Sequence, residues 1–248
     1  MNNQSLSLFN RRYKAIRKEK SYYNKFIFNG HFTVFLLILL GAFIFGYGEW
    51  LQHIPQHIDY ALFASIAVAL VSLFPIRTLL KDADKIFLLP FEKHMKDYMQ
   101  VSLIYSYSSR IFLQVILLII LFPLFYKLND NHFAFYIVFA ISAIIFPYLG
   151  LLVKWQWLKL NLSSWSINLL LFVLFGITFY LILRFHNYFA IIFIFIVGVL
   201  LLILKLNRKK QLFPCERMIA IEQQKHTNYY KFVNMFTDVK HLRESAVR

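Results

Sequence analysis

Six long apolar runs, whose interiors carry no Asp, Glu, Lys, Arg or His, constrain this chain more than any other feature of its sequence. A helix crosses the roughly 30 Å hydrocarbon core of a bilayer with about 20 residues, and each run has approximately that length. The hydrophobic share of 59% is likewise typical of membrane proteins. The predicted spans are Phe32–Leu51, Tyr60–Ile76, Ile111–Tyr126, Phe133–Val153, Trp165–Leu183 and Tyr188–Leu206.

The basic residues predict the orientation of these spans. Of the 27 Lys and Arg residues, only Lys127 and Arg184 fall in connections on one side, and the other 25 fall on the opposite side. Basic residues are retained on the cytoplasmic side of a membrane. We therefore predict an all-α, multi-pass cell-membrane protein with six transmembrane helices and both termini in the cytoplasm. Its parts are a basic segment 1–30, a membrane domain 31–206 with a cytoplasmic loop 77–110, and a cytoplasmic segment 207–248.

Several function classes are disfavoured by what the runs lack. The net charge of +15 comes from basic residues that lie between the apolar runs and not on one polar face, which argues against nucleic-acid binding. Spans without ionisable interiors disfavour an ion-driven transporter. His53 and His57 are separated by Pro55, which breaks the helical geometry a shared metal ion would need. We expect no enzymatic activity, no cofactor, no metal site and no ATP-binding loop.

Two further features of the spans carry expectations. Arg110 precedes the third run, and we expect it either to reach the lipid headgroups at the inner interface or to pair with a protein group. Glycines within the runs are expected to allow close helix packing. These glycines are Gly41, Gly46, Gly150, Gly176 and Gly198.

The first cytoplasmic segment with a clear pattern runs from Leu6 to Phe28. Apolar residues recur there at three- and four-residue spacing, and Arg and Lys occupy most of the remaining positions. This pattern predicts a basic amphipathic helix. The helix either lies on the anionic lipids of the inner leaflet or docks on a partner.

The second segment covers residues 81–99. Pro90 suits the first position of a helix, and Glu92 falls in its first turn, where a carboxylate is favourable. Phe91, Met95 and Tyr98 then share one apolar face. That face packs against the membrane or enters the groove of a cytoplasmic partner, and amphipathicity alone does not separate these alternatives.

The third segment repeats the same start signal near the C-terminus. Pro214 and Glu216 begin a predicted helix that Met218 continues. Two proline-started helices would thus face one compartment. A membrane protein without an ATP-binding loop, but with two such helices, is arranged to receive force from a soluble subunit.

At these segments the sequence resembles the EcsB-type permeases of bacterial ABC transporters over essentially the whole chain. The resemblance rests on a basic N-terminal segment that runs into YYNKFIFNGHF (22–32), on FLLPFEKHM (87–95), on FPCERMI (213–219) and on FTDV (236–239). It departs at Cys215, where an aromatic residue is usual, and at Lys240, where a proline is usual. Members of the family are longer, so we expect this chain to lack the C-terminal spans of the family and to be a truncated or split product.

The resemblance implies the membrane subunit of an ABC exporter, with peptides as the expected substrate and a separate EcsA-like ATPase as partner. Anionic inner-leaflet lipids and a second permease copy are the other candidate partners. The alternative is a membrane scaffold associated with intramembrane proteolysis. The expected partner-binding residues are Pro90, Phe91, Glu92, Met95, Tyr98, Pro214, Glu216 and Met218.

Overall fold

The computed structural model describes residues 3–28, 30–55, 57–87, 95–128, 134–160, 163–185, 192–193, 196–200 and 214–234. Within this part of the chain every regular element is an α-helix. The helices are α1 (Asn3–Ile27), α2 (Gly30–Gln52), α3 (Tyr60–Ser72), α4 (Asp84–Phe87), α5 (Met95–Leu128), α6 (Ala134–Lys159), α7 (Ser164–Phe185) and α8 (Cys215–Val233). Residues 192–193 and 196–200 are also helical. An all-helical fold is thus confirmed for the described residues.

Among the described residues, four helices are long and apolar enough to cross a membrane, namely α2, α5, α6 and α7. They contain the first, third, fourth and fifth predicted spans, with the exception of Phe133, which is not among the described residues. The sixth predicted span, Tyr188–Leu206, lies mostly outside the described residues. These four helices support a membrane protein but do not test the number of spans or the side on which the termini lie.

The second and third predicted spans need correction. Helix α3 ends at Ser72 and not at Ile76, because Pro75 lacks an amide hydrogen and its ring is incompatible with a continuing helix. Helix α5 runs from Met95 to Leu128 as one helix of 34 residues, so the described part of the short helix predicted from Pro90 is continuous with the third span. No Gly or Pro separates Met95 from Ile111, and nothing in the sequence ends the helix there.

Contacts divide the chain into two compact units. The first combines Met1–Ile54, Thr78–Ser102 and Cys215–Arg248, and it includes α1, α2, α4, the start of α5 and α8. Within it, α2 has no buried residue, and it exposes apolar side chains such as Phe45 (82%). Such a helix suits a lipid environment, because exposure of this apolar surface to water would be unfavourable.

The second unit combines Pro55–Arg77 and Leu103–Pro214, and it contains α3, α6, α7 and most of α5. Its centre holds stacked and edge-packed phenylalanines, among them Phe139, Phe146, Phe175 and Phe179. The close approach expected at glycines is found at Gly150, where an added Cβ would lie 2.9 Å from Cζ of Phe175. At the other four predicted positions an added Cβ would meet no described atom within 4 Å.

Candidate partner-binding site

The three segments that the sequence marks as cytoplasmic come together in the first unit around one arginine. Arg12 of α1 donates from Nη2 to Oδ1 of Asp84 at 2.5 Å, and from Nη1 to the Tyr98 hydroxyl at 3.2 Å. The two charged side chains are only 12% and 6% exposed. A buried ion pair of this kind needs further hydrogen bonds to offset the loss of hydration. The surrounding residues provide them.

Two more segments complete this network. The Tyr98 hydroxyl donates to the carbonyl of Thr78 at 2.6 Å, and the amide of Thr78 donates to Oε2 of Glu222 in α8 at 3.1 Å. Asp84 also accepts from the amide of Lys81 at 2.7 Å. We call Arg12, Thr78, Asp84, Tyr98 and Glu222 the Arg12 cluster. It links the N-terminal helix, the second cytoplasmic segment and the C-terminal helix through interior polar groups.

The contacts within the cluster stabilise the charged form of Arg12. Burial lowers the pKa of Arg12, but the hydrogen bond to Asp84 and the contacts with Tyr98 outweigh burial and raise that pKa above its ordinary value. Arg12 therefore stays cationic at any physiological pH. Its guanidinium carbon also lies 5.9 Å from the centre of the Tyr98 ring, where a cation–π contribution is expected.

The backbone beside the cluster is strained at one residue. Leu79 has a φ of 55° and is only 3% exposed. A left-handed conformation is unfavourable for a residue with a Cβ, and it persists only where surrounding contacts fix it. Here the Leu79 carbonyl accepts from Nη1 of Arg12 at 3.4 Å. The contact with Arg12 thus helps to fix the backbone conformation at Leu79.

Apolar and aromatic contacts join α1 to α8 at a second place. Ile27 and Val233 are buried together, with Tyr23 and Tyr229 packed against them. The Tyr230 hydroxyl donates to Oε1 of Glu19. The buried apolar residues of α1 are therefore covered by the chain itself, and contact of its basic residues with lipid or a partner stays a prediction.

The predicted partner-binding residues fall into three groups. Met95, Tyr98 and Met218 are 4%, 0% and 1% exposed, so their side chains belong to the interior and are not available to a partner in this structure. Pro214 is partly buried and Glu216 is exposed at the start of α8. Pro90, Phe91 and Glu92 lie outside the described residues.

Sequence reasoning missed the acidic members of the cluster. Asp84 and Glu222 are buried, and each is only 4% exposed. Neither residue is singled out by the sequence patterns described above. A usable signal was present: the chain has only 12 acidic residues against 27 basic ones, so a carboxylate in a basic segment has many possible cationic partners.

Comparison with known proteins agrees with the resemblance in the sequence. The family model described as "Bacterial ABC transporter protein EcsB" matches residues 6–248. The chain is 28% identical over 256 residues to Protein EcsB of Bacillus subtilis (strain 168), and the match covers 99% of this chain and 61% of that protein. No solved structure matches the chain. Because the family model spans nearly all of the sequence, this chain belongs to the EcsB family of bacterial ABC transporter proteins.

Proposed function

We propose that this chain is the membrane-spanning permease subunit of an ABC exporter, that a separate ATPase drives it, and that peptides are its substrate. The observation that carries the proposal is the family match over residues 6–248, joined to four helices long enough to span a membrane. The chain spans about 61% of the length of the curated relative, so the activity of a whole EcsB protein is a proposal here.

The proposed orientation places both termini and the Arg12 cluster in the cytoplasm. Its support is the distribution of Lys and Arg, since 25 of 27 lie on the side assigned to the cytoplasm. An ATPase uses cytoplasmic ATP, and its contact surface has to be on this side. The first unit, where the three cytoplasmic segments meet, is therefore the proposed site of contact.

The contact surface that we propose is not the helix face of Met95 and Tyr98, although the sequence left open that this face enters a groove of the partner. Because those side chains are internal, the ATPase meets the exposed surface of the first unit near Glu216. Pro90, Phe91 and Glu92, which lie outside the described residues, stay predicted contact residues. Force transfer needs a rigid element behind the contact. The Arg12 cluster supplies it, because interior hydrogen bonds connect α1, α5 and α8.

Affinity purification from native membranes tests the proposal. Tagged chain is extracted in mild detergent, and co-purified proteins are identified and quantified by mass spectrometry. We expect an ABC ATPase in roughly stoichiometric amount. Recovery of an intramembrane protease without an ATPase would replace the permease with the scaffold alternative.

A charge-reversal pair tests the surface. Glu216→Arg should reduce ATPase recovery, because it replaces a carboxylate with a cation at the proposed contact and so disrupts charge complementarity with the ATPase. Asn228→Arg is the matched control, since Asn228 is an exposed position further along the same helix. Equal ATPase recovery with both variants would remove Glu216 from the contact.

A further inference from the structure

A non-helical segment in the second unit is held by side chains from two long helices. After α3 ends, the chain continues without regular structure through 73–77. Nζ of Lys154 in α6 donates to the Phe74 carbonyl at 3.0 Å. The Arg77 amide donates to Oγ of Ser106 in α5 at 2.7 Å. Irregular backbone within an apolar helical unit is tolerated where such partners satisfy it, and this segment is thereby fixed in place.

This fixed segment forms one wall of a cavity of about 390 Å³. The volume falls at the lower end of the range of small-ligand sites, roughly 300 to 1,000 Å³. The cavity is lined by Arg110 and by the apolar residues Leu70, Val71, Leu73, Phe74, Pro75 and Leu113. Leu70 and Leu113 are 56% and 48% exposed, so the apolar lining continues onto the outer surface of the unit.

Among the described residues, no counter-charge is paired with the cationic group in the cavity. Nε of Arg110 is buried and has no hydrogen-bond partner among the described residues, and no described carboxylate forms an ion pair with this side chain. The charge of Arg77, which has the same sign, acts on Arg110. Two neighbouring cations beside an apolar cavity favour the binding of an anion.

The position of Arg110 along α5 indicates which anion. From Ile111 to Leu128 the helix has one charged residue, Lys127, so Arg110 stands where the apolar membrane-spanning stretch begins. A membrane interface is the depth at which lipid phosphates lie, and cationic side chains reach toward it. The apolar lining then runs in the direction that an acyl chain would take.

We propose that this cavity binds a membrane phospholipid, with its phosphate at Arg110, where the charge of Arg77 adds to the positive potential, and with one acyl chain along the lining of Leu70 and Leu113. The guanidinium fork provides charge-assisted hydrogen bonds to the phosphate oxygens. The hydrocarbon lining contributes apolar burial that a free phosphate ion cannot use. The site does not depend on the ATPase, so it can be tested in the isolated chain.

Lipid retention after purification is the measurement. The chain is purified in mild detergent, and the phospholipid that remains bound is extracted and counted by mass spectrometry, first without addition and then after titration with phosphatidylglycerol. Arg110→Gln should weaken phosphatidylglycerol binding by about 10- to 100-fold, the effect of losing a charge-assisted bond. Arg184→Gln, which removes an exposed cation of α7, should leave it unchanged.

Two more arms make the result decisive. Val71→Phe narrows the cavity without altering a charge and should also weaken phosphatidylglycerol binding, so a loss seen in both variants cannot arise from net charge alone. Inorganic phosphate should not displace the lipid at equal concentration. The proposal is overturned if Arg110→Gln retains lipid as the unaltered chain does. It is equally overturned if inorganic phosphate, or a peptide with a free carboxylate, occupies the site in preference to the lipid.

Discussion

Removal of the positive charge from the Arg12 cluster should open the N-terminal helix. In the variant Arg12→Met, the carboxylate of Asp84 loses its partner but stays buried, since its side chain is only 6% exposed. Removal of one member of a buried ion pair costs about 3 to 5 kcal/mol, mainly because the other charge stays desolvated. The same change also removes the hydrogen bonds from Arg12 to Tyr98 and to the Leu79 carbonyl.

Hydrogen exchange of α1 amides is the appropriate assay, because it reports the free energy of local opening without complete unfolding of a membrane protein. A loss of about 3 to 5 kcal/mol raises the open population by roughly 100- to 4,000-fold, since each 1.4 kcal/mol is a factor of ten. The protein is measured in lipid nanodiscs, with exchange of α2 amides as the internal reference.

Two control variants make this prediction specific. Arg17→Met removes an exposed cation from the same helix and should leave exchange of α1 amides nearly unchanged. The double variant Arg12→Met with Asp84→Asn leaves no buried charge unpaired, and the asparagine oxygen can still accept from the Lys81 amide, so much of the protection should return. The reasoning is refuted if Arg12→Met and Arg17→Met exchange alike.

Three other predictions concern packing, pH and topology. Gly150→Ala should destabilise by about 1 to 3 kcal/mol because its Cβ meets Phe175, whereas Gly176→Ala should not, and thermal unfolding in detergent compares them. Burial, and then the bond to Glu19, raise the pKa of Tyr230, so the stabilisation lost in Tyr230→Phe should be constant from neutral pH to about pH 10 and disappear as pH rises through the folded pKa; denaturation across pH checks this. Labelling of single cysteines in a Cys215→Ser background tests the orientation, and label reaching the inside positions from outside would contradict it. The outside positions are Gln56 and Asn131, and the inside positions are Lys93 and Lys209.

Helix type and approximate position could be predicted because they depend on local pattern. The apolar runs behind α2, α6 and α7 gave their positions to within a few residues at most ends, and Pro214 with Glu216 correctly marked the start of α8. The errors occurred where a boundary depends on neighbouring residues. Pro75 ended α3 early, and the absence of a breaker let α5 continue from Met95.

The interior partners of amphipathic faces could not be predicted. Periodicity shows that one face of a helix is apolar, but it does not show whether lipid, a partner or the same chain covers that face. For Tyr98 the covering groups are Arg12 and Phe9, which precede it by 86 and 89 positions, with ring centres of Phe9 and Tyr98 5.4 Å apart. Pairing at such separation leaves no local signal in a single sequence.

Site-specific crosslinking tests the central claim most directly, namely that the outer surface of the first unit contacts a separate ATPase. Glu216→Cys in the Cys215→Ser background is treated with a short thiol-reactive crosslinker in native membranes, and Ile38→Cys on the exposed face of α2 is the matched control. We expect an ABC ATPase crosslinked at position 216 and none at position 38. No ATPase at position 216, or equal crosslinking at both positions, would contradict the proposed contact.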